Sequence, residues 1–184
     1  MFLFDRGPDA GRQTDAAADD SSPTSTATPD GGPSVLVFLK LRDATAYERA
    51  SYVGVDRPAP HHADNVVAKL RAAMSQLVKG PTPQERDQGL SSVFSPQTSG
   101  LAESVDVDES GAATVSFRDF REQLPEVSTS EGGTILMQQL NHTVFQFQSV
   151  DRVVYQIEGH CATFWEFLQA GRCIVVPRSG FQSD

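Results

Sequence analysis

The amino-acid sequence predicts an α+β domain in which a single small mixed or antiparallel β-sheet carries two α-helices on one face. Short β-branched and aromatic runs, clearest at 35–39 and 153–157, predict the strands. Two longer segments with apolar residues at helical spacing predict the helices. The resulting order is strand, strand, helix, strand, strand, helix, strand and a C-terminal element, which suits one sheet covered by two helices.

The first strand is predicted at Val35–Leu39, where five consecutive apolar residues indicate a buried strand. A second and weaker strand is predicted at Ser51–Val55. It ends before Pro58, because proline cannot donate a hydrogen bond to a strand ladder.

The first helix is predicted to begin at Asp64 and Asn65 and to end before Gly80 and Pro81. Glycine takes the left-handed conformation that closes many helices, and a proline just beyond cannot continue one. The apolar residues of this segment recur near the spacing i, i+4, i+8 and i+11, so they form one stripe facing the core. They are Val66, Leu70, Met74 and Leu77.

Residues 82–100 are predicted to be a loop, which the Gly-Leu pair at 89–90 anchors to the core. Two alternating runs, Leu101–Asp106 and Ala113–Phe117, then predict a β-hairpin. Gly111 supplies the positive φ that its turn requires.

The second helix is predicted to begin at Ser128, which forms a capping box with Glu131 three residues later. Two glycines at 132–133 weaken the first turn of this helix. A strand at Val153–Ile157 follows, and the last segment, Cys161–Pro177, has little clear helix or strand character. The apolar face of the second helix consists of Ile135, Leu136, Leu140 and Val144.

Residues 1–33 are predicted to be a disordered acidic tether, which leaves residues 34–184 as the folded domain. The tether has almost nothing to bury, and its six aspartates and two arginines give a net charge of −4. The 184-residue chain carries −9, which argues against nucleic acid as a partner. Neither a secretory signal nor a transmembrane segment is predicted, because no apolar run has the required length.

No catalytic, cofactor-binding or metal-binding residue is predicted, and no cofactor is expected. His160 adjoins Cys161, but adjacency in sequence does not aim an imidazole at a sulfur, and a zinc site needs four convergent ligands. Asp106, Asp108 and Glu109 lie near the hairpin turn and are interpreted as solvated loop acids. The other histidines, interpreted as surface or capping groups, are His61, His62 and His142.

Three motifs stand in a fixed order along the chain. The first is the helix end and Gly-Pro turn at Leu77–Thr82, followed by Glu85 and the Gly-Leu pair, and the second is the hairpin at Val105–Phe117. The third and most specific is Gln138–Gly159, which runs from helix through Thr143 and a Phe-x-x-Val turn into a strand ending in acid-Gly. Together they resemble the GerMN family of sporulation and spore germination, over about 35–159.

This resemblance implies a non-enzymatic extracytoplasmic scaffold or binding domain of the bacterial cell envelope, and many relatives look like lipoproteins. The expected partners are an envelope protein or a peptidoglycan-associated protein, and self-association through sheet edges is included. The chain is expected to be membrane-tethered or secreted. It departs from many relatives at Gln148, where they have proline, and in having Cys161 and Cys173.

The two cysteines, Cys161 and Cys173, are predicted to form a structural disulfide, since the resemblance places the domain in an oxidising compartment. In a reducing cytosol they would instead be two buried thiols. Two other functions stay open, each with its site near the Cys161–Cys173 segment. A secreted hydrolase using Cys161 or the Asp106 cluster requires a pocket of hydrogen-bonded titratable groups, whereas a small-ligand carrier requires an apolar cavity.

Overall fold

The computed structural model describes residues 33–182, so residues 1–32 of the predicted tether lie outside the described residues. The strands are β1 (Ser34–Leu41), β2 (Tyr52–Pro58), β3 (Leu90–Ser91), β4 (Ala102–Val107), β5 (Ala112–Phe117), β6 (Arg152–Ile157) and β7 (Val175–Pro177). The helices are α1 (Val66–Leu77), α2 (Pro83–Asp87), α3 (Ser130–Phe145), α4 (Cys161–Phe167) and α5 (Arg178–Gln182). Short 3₁₀ turns occur at Arg49–Ser51, Pro96–Thr98 and Pro125–Ser128.

The strands form two sheets. In the first sheet the order is β2-β1-β3, and all pairs are antiparallel. The second has the order β4-β5-β6-β7 and pairs β5 with β6 in parallel. The predicted α+β class and its mixture of pairings are confirmed, but the strands divide between two sheets instead of forming one. Side chains of α3 and its C-cap bond the part of β1 that β3 leaves unpaired, and the β4–β5 hairpin pairs with β6.

One hydrophobic cluster connects the two sheets and both long helices. α1 packs against β1 and β4, while α3 packs against β1 and α1. The stripes predicted from helical spacing therefore face the core, except that Ile135 of α3 is half-buried and lies outside the cluster. Its buried members include Leu70, Met74 and Leu77 of α1, Leu136, Leu140 and Val144 of α3, Val37 and Leu39 of β1, Val115 of β5 and Tyr155 of β6.

Both predicted ends of α1 are confirmed. The side chain of Asn65 caps the helix by accepting a hydrogen bond of 2.9 Å from the backbone N–H of Ala68. Gly80 follows the helix with a φ of +67°, and a Cβ there would overlap the carbonyl group of Phe94. Only glycine fits this position, because both the backbone angle and the close approach exclude a side chain.

The prediction that residues 82–100 form a loop is wrong for α2. Thr82 and Glu85 form a capping box: Glu85 N donates to Thr82 Oγ1 at 3.2 Å, and Thr82 N donates to Glu85 Oε2 at 2.6 Å. The helix has five residues and buries none of them, so it shows no apolar stripe in the sequence. The expected anchor is confirmed, since Leu90 is buried and its strand β3 pairs with the end of β1.

An ion pair fastens α2 to the first sheet. The guanidinium of Arg57 donates to both carboxylate oxygens of Glu85, at 3.0 and 2.5 Å, and also to the carbonyl of Gly80 at 3.1 Å. Both side chains are largely buried, with 8% and 13% of their surface exposed. Bidentate pairs of this kind fix orientation, so Arg57 connects β2 to both the Gly80 turn and α2.

The predicted start of α3 is wrong by one residue, and its capping box is absent. Thr129 is the N-cap and accepts a hydrogen bond of 3.1 Å from the N–H of Gly132, whereas Ser128 belongs to the preceding 3₁₀ turn. The hydroxyl of Ser128 donates instead to the carbonyl of Pro125 at 2.7 Å. A Cβ at Gly132 would overlap the carbonyl of Glu126, so this glycine lets the turn and the helix pack closely.

The β4–β5 hairpin matches its prediction. Gly111 has a φ of +73° and donates its N–H to the carbonyl of Asp108 at 3.0 Å. The turn then continues into a ladder in which Val107 pairs with Ala113. A positive φ at Gly111 is therefore what allows the two strands to close on each other.

The C-terminal segment is ordered by three attachments. Phe164 of α4 is fully buried in the core, Cys161 and Cys173 form a disulfide, and Arg178 follows β7. The guanidinium of Arg178 donates to the carbonyls of Phe145, Phe147 and Val150, just beyond α3. It satisfies carbonyls that a helix end leaves without partners. Among residues 33–182 no helix has the length and apolarity needed to cross a membrane.

Candidate functional site

Side chains of α3 and of its C-cap residue bond the side of β1 that faces away from β2, where β3 does not reach. Gln146 accepts from the N–H of Leu36 at 3.2 Å and donates to its carbonyl at 2.8 Å. Thr143 Oγ1 accepts from the N–H of Phe38 at 3.3 Å, and Gln139 Nε2 donates to the Phe38 carbonyl at 3.2 Å. Three polar residues spaced one turn apart thus replace a neighbouring strand. Such spacing places them on one face of the helix.

Gln139 extends this closure to the segment after β3. Its carboxamide oxygen accepts from Ser92 Oγ at 3.0 Å and from the N–H of Val93 at 3.3 Å. The Gln139 side chain is completely buried, so its polar atoms need such partners. The role of this polar stripe was not predicted from the sequence. The signal was present as Gln139, Thr143 and Gln146 at intervals of four and three residues beside the apolar face.

The opposite edge of the same sheet, along β2, is only partly closed. At its ends, the Tyr52 N–H donates to the carbonyl of Arg49, and Gln76 Nε2 donates to the Pro58 carbonyl at 2.9 Å. Midway between them, Gly54 faces Phe38 of β1 in the ladder. Because hydrogen-bonding direction alternates along a strand, the Gly54 backbone points away from β1. Within the described part of the chain nothing binds its N–H or carbonyl.

The edges of the second sheet have other forms of protection. β4 contains a register shift between Ala102 and Ser104, and Arg71 of α1 donates to the Val105 carbonyl at 3.0 Å. β7 has three residues and ends at Pro177. Bulges, short strands and prolines each discourage strand addition. The middle of β2 is therefore the best-suited edge for a partner strand among residues 33–182.

A shallow groove of about 250 Å³ lies beside β3, on the other side of the first sheet from β2. Arg42 and Arg86 line it, together with Ser91 and Ser92 of the segment that includes β3. Its apolar surface comes from Pro81, Leu90, Phe94 and Pro96. The groove therefore combines positive charge with an apolar floor.

His142 lies in an aromatic cluster and is not the surface or capping group predicted from the sequence. Its ring stacks on Phe38 and Tyr52, with centroid distances of 5.0 and 5.5 Å, and meets Phe181 edge-on at 4.6 Å. Burial lowers the pKa of His142 to about 4, and the positive charge of Arg49 adds to this effect. Burial also raises the pKa of Tyr52 to about 12. Both groups are therefore neutral at pH 7.

The acids near the hairpin turn do not converge on a site. Asp108 accepts hydrogen bonds from the Ser110 hydroxyl at 2.6 Å and from the N–H of Ala112 at 2.9 Å, and these bonds lower its pKa. Asp106 and Glu109 are exposed. In residues 33–182, no cluster of three or more His, Cys, Asp or Glu side chains could hold a metal ion. Asp108 therefore shapes the turn.

The Cys161–Cys173 segment offers no free thiol, since the two sulfurs are bonded to each other. His160 Nδ1 lies 2.7 Å from the carbonyl of Glu158, so the ring is engaged with the preceding turn. These contacts remove Cys161 as the nucleophile of the hydrolase alternative while the disulfide is intact. Exposed His61 and His62 precede α1, as expected for surface groups.

These features define a small α+β domain with a disulfide near its C-terminus and a partly open sheet edge. The chain belongs to the Germane family, described as sporulation and spore germination, whose model matches residues 37–162. No curated protein matches it.

The solved structures that are similar to this chain include two of a sporulation protein. The first GerMN domain of the sporulation protein GerM from Bacillus subtilis is 21% identical, with a TM-score of 0.46, over 70% of this chain and 84% of that one. The tandem GerMN domains of the same protein are 19% identical, with a TM-score of 0.48, over 76% of this chain and 43% of that one.

Proposed function

We propose that this chain is a non-enzymatic binding domain of the bacterial cell envelope, which holds an extended segment of an envelope protein along β2. Membership of a family of sporulation and spore germination supports the envelope role. The Cys161–Cys173 disulfide supports an extracytoplasmic location, because such bonds persist in oxidising compartments and are rare in the cytosol. The segment at 1–33 then acts as the tether of the domain to its surface.

The contrast between two edges of one sheet carries the binding proposal. In β1, the N–H and carbonyl groups of Leu36 and Phe38 are hydrogen-bonded by three side chains of α3 and its C-cap. Beside β2, the backbone of Gly54 faces outward without a partner among residues 33–182. An open strand edge templates the addition of another strand, and main-chain hydrogen bonds then supply the affinity. The surface at Gly54 is therefore the docking edge.

The variants Gly54→Pro and Gly54→Ala test this edge as a matched pair. Proline removes the outward N–H and leaves the ladder to β1 in place, whereas alanine keeps that N–H. Both add a Cβ at 3.3 Å from the Phe38 ring, so they share the steric effect of that atom. Proteins captured from an envelope fraction by the wild type and by Gly54→Ala should be missing from Gly54→Pro, as measured by quantitative mass spectrometry.

Hydrogen exchange locates the docking edge independently. A captured partner should slow exchange of the Gly54 N–H in the wild-type domain. The same proteins in the same amounts on both variants, or protection confined to amides far from β2, would contradict the proposal. Thermal unfolding of each variant checks that the domain remains folded.

The same variants also test whether two copies of the chain associate through β2. Sedimentation equilibrium over a range of concentrations shows whether two copies pair through β2. A dimer formed by the wild type and Gly54→Ala but not by Gly54→Pro would make a second copy the partner. A dimer formed equally by all three would show that copies associate through another surface.

A further inference from the structure

The groove beside β3 is a second surface, separate from the docking edge at β2. The two strands lie on opposite sides of β1 in the same sheet. The groove is open to solvent and has a volume of about 250 Å³. Its lining comes from segments that are distant in sequence, since Arg42 follows β1 and Arg86 lies in α2. Pairing of β1 with β3 brings them together.

Backbone carbonyls hold both arginines in place. Arg42 Nη2 donates to the carbonyl of Arg86 at 2.7 Å, and Arg86 Nη1 donates to the carbonyl of Pro81 at 2.5 Å. A guanidinium has five N–H donors, so each arginine keeps further donors for a ligand. The two positively charged groups are therefore positioned before any ligand arrives.

Neither arginine forms an ion pair within the described part of the chain. The pairs of Arg57 with Glu85 and of Arg121 with Asp119 lie elsewhere. Among residues 33–182, Arg42 and Arg86 share one groove without a carboxylate partner, although the whole chain carries a net charge of −9. Like charges held near each other repel, and an anion between them relieves that repulsion.

We propose that this groove binds the carboxylate side chain of an acidic peptide, together with an apolar residue beside it. Arginine matches the two oxygens of a carboxylate with two parallel donors, which gives direction as well as charge. Among the apolar residues that line the floor, Pro96 is exposed next to that charge, whereas Leu90 and Phe94 are largely buried. A bare inorganic anion would leave this floor uncovered, whereas a peptide of alternating acidic and apolar residues covers both parts.

A fluorescein-labelled hexapeptide of alternating leucine and glutamate tests the groove by fluorescence anisotropy. The peptide should bind the full chain, and the same peptide with glutamine in place of glutamate should not. The variants Arg42→Gln and Arg86→Gln should each weaken binding by about tenfold, the effect of losing one charge-assisted hydrogen bond. Arg172→Gln is the matched control, because Arg172 is exposed in the disulfide loop and its loss changes the net charge equally.

Nuclear magnetic resonance places the bound peptide. Addition of the glutamate peptide should shift the amide signals of Ser91 and Ser92 and leave that of Gly54 unchanged. The proposal is overturned if the glutamine peptide binds equally well, or if Arg172→Gln weakens binding as much as the groove variants do. It is also overturned if inorganic phosphate displaces the peptide at a lower concentration than the unlabelled peptide does. None of these three results bears on the β2 edge, which the Gly54 variants test separately.

Discussion

The carboxamide of Gln146 pairs with the backbone of Leu36 as a neighbouring β-strand would. Its oxygen accepts from the Leu36 N–H at 3.2 Å, and its nitrogen donates to the Leu36 carbonyl at 2.8 Å. A primary amide carries an acceptor oxygen and a donor nitrogen side by side, so it can meet the N–H and the carbonyl of one strand residue, which point in the same direction. The side chain of Gln146 thereby satisfies both the N–H and the carbonyl of Leu36.

Replacing Gln146 with leucine should lower the free energy of unfolding by about 1–3 kcal/mol, because it leaves two partly buried backbone groups without partners. Gln148→Leu is the matched control. Gln148 is exposed and should change stability by no more than about 0.5 kcal/mol. Urea unfolding followed by circular dichroism measures both. Equal effects of the two substitutions would show that the pairing with Leu36 contributes nothing.

Gly80→Ala and Gly89→Ala separate the cost of a positive φ from that of a steric clash. Both glycines have a positive φ, of +67° and +82°, but a Cβ at Gly89 meets no atom within 4 Å. Gly89→Ala should therefore cost about 1–2 kcal/mol from backbone strain alone. Gly80→Ala adds overlap with the Phe94 carbonyl and should cost at least about 3 kcal/mol. Thermal unfolding that gives the same loss for both would contradict the close approach of the Phe94 backbone to Gly80.

The stability of the domain should fall with acid through His142. Its pKa is about 4 in the folded state against 6.5 for the free side chain, so the unfolded state binds the proton more tightly. The contribution is complete above pH 6.5 and is lost as the pH falls toward 4.

Replacing His142 with phenylalanine should remove this part of the pH dependence and keep the aromatic stack. Urea unfolding of both proteins between pH 7 and pH 4 measures the difference in slope. His61→Phe is the control, since His61 is exposed. Parallel curves for the wild type and His142→Phe would show that His142 is not shielded from water.

The Cys161–Cys173 disulfide should be complete in protein purified from an oxidising compartment. Thiol titration of the denatured, non-reduced protein should find no reactive group, and finding two would contradict the disulfide. Replacing both cysteines with serine should lower the free energy of unfolding by about 3 kcal/mol, because the bond restricts the unfolded chain. Reduction of the wild type should reproduce that loss, which controls for the serine substitutions.

Local signals in the sequence predict those parts of the fold that local interactions determine. Asn65 caps α1, Gly80 ends it and Gly111 turns the hairpin, and each acts within a few residues of its own position. α2 was missed because it has no apolar stripe. The start of α3 was misplaced because Ser128 belongs to the preceding 3₁₀ turn, where its hydroxyl donates to the carbonyl of Pro125, and the adjacent Thr129 is the N-cap.

The candidate surfaces depend on contacts between distant residues and could not be predicted from patterns. Arg42 and Arg86 meet only because β3 pairs with the end of β1. Gly54 is a candidate docking residue only because side chains of α3 and its C-cap already bond the other side of the same sheet. The sequence does hold the polar stripe of α3, but it gives no sign that the stripe faces a strand 110 residues earlier in the chain.

That separation of 110 residues has a consequence during synthesis on the ribosome. At typical translation rates, β1 emerges about 5–20 s before Gln146 does. Throughout this interval β1 is an apolar segment that lacks hydrogen-bond partners along one side. Segments of this kind aggregate readily. We therefore expect newly made chains to depend on a chaperone or on slow export until α3 has been translated.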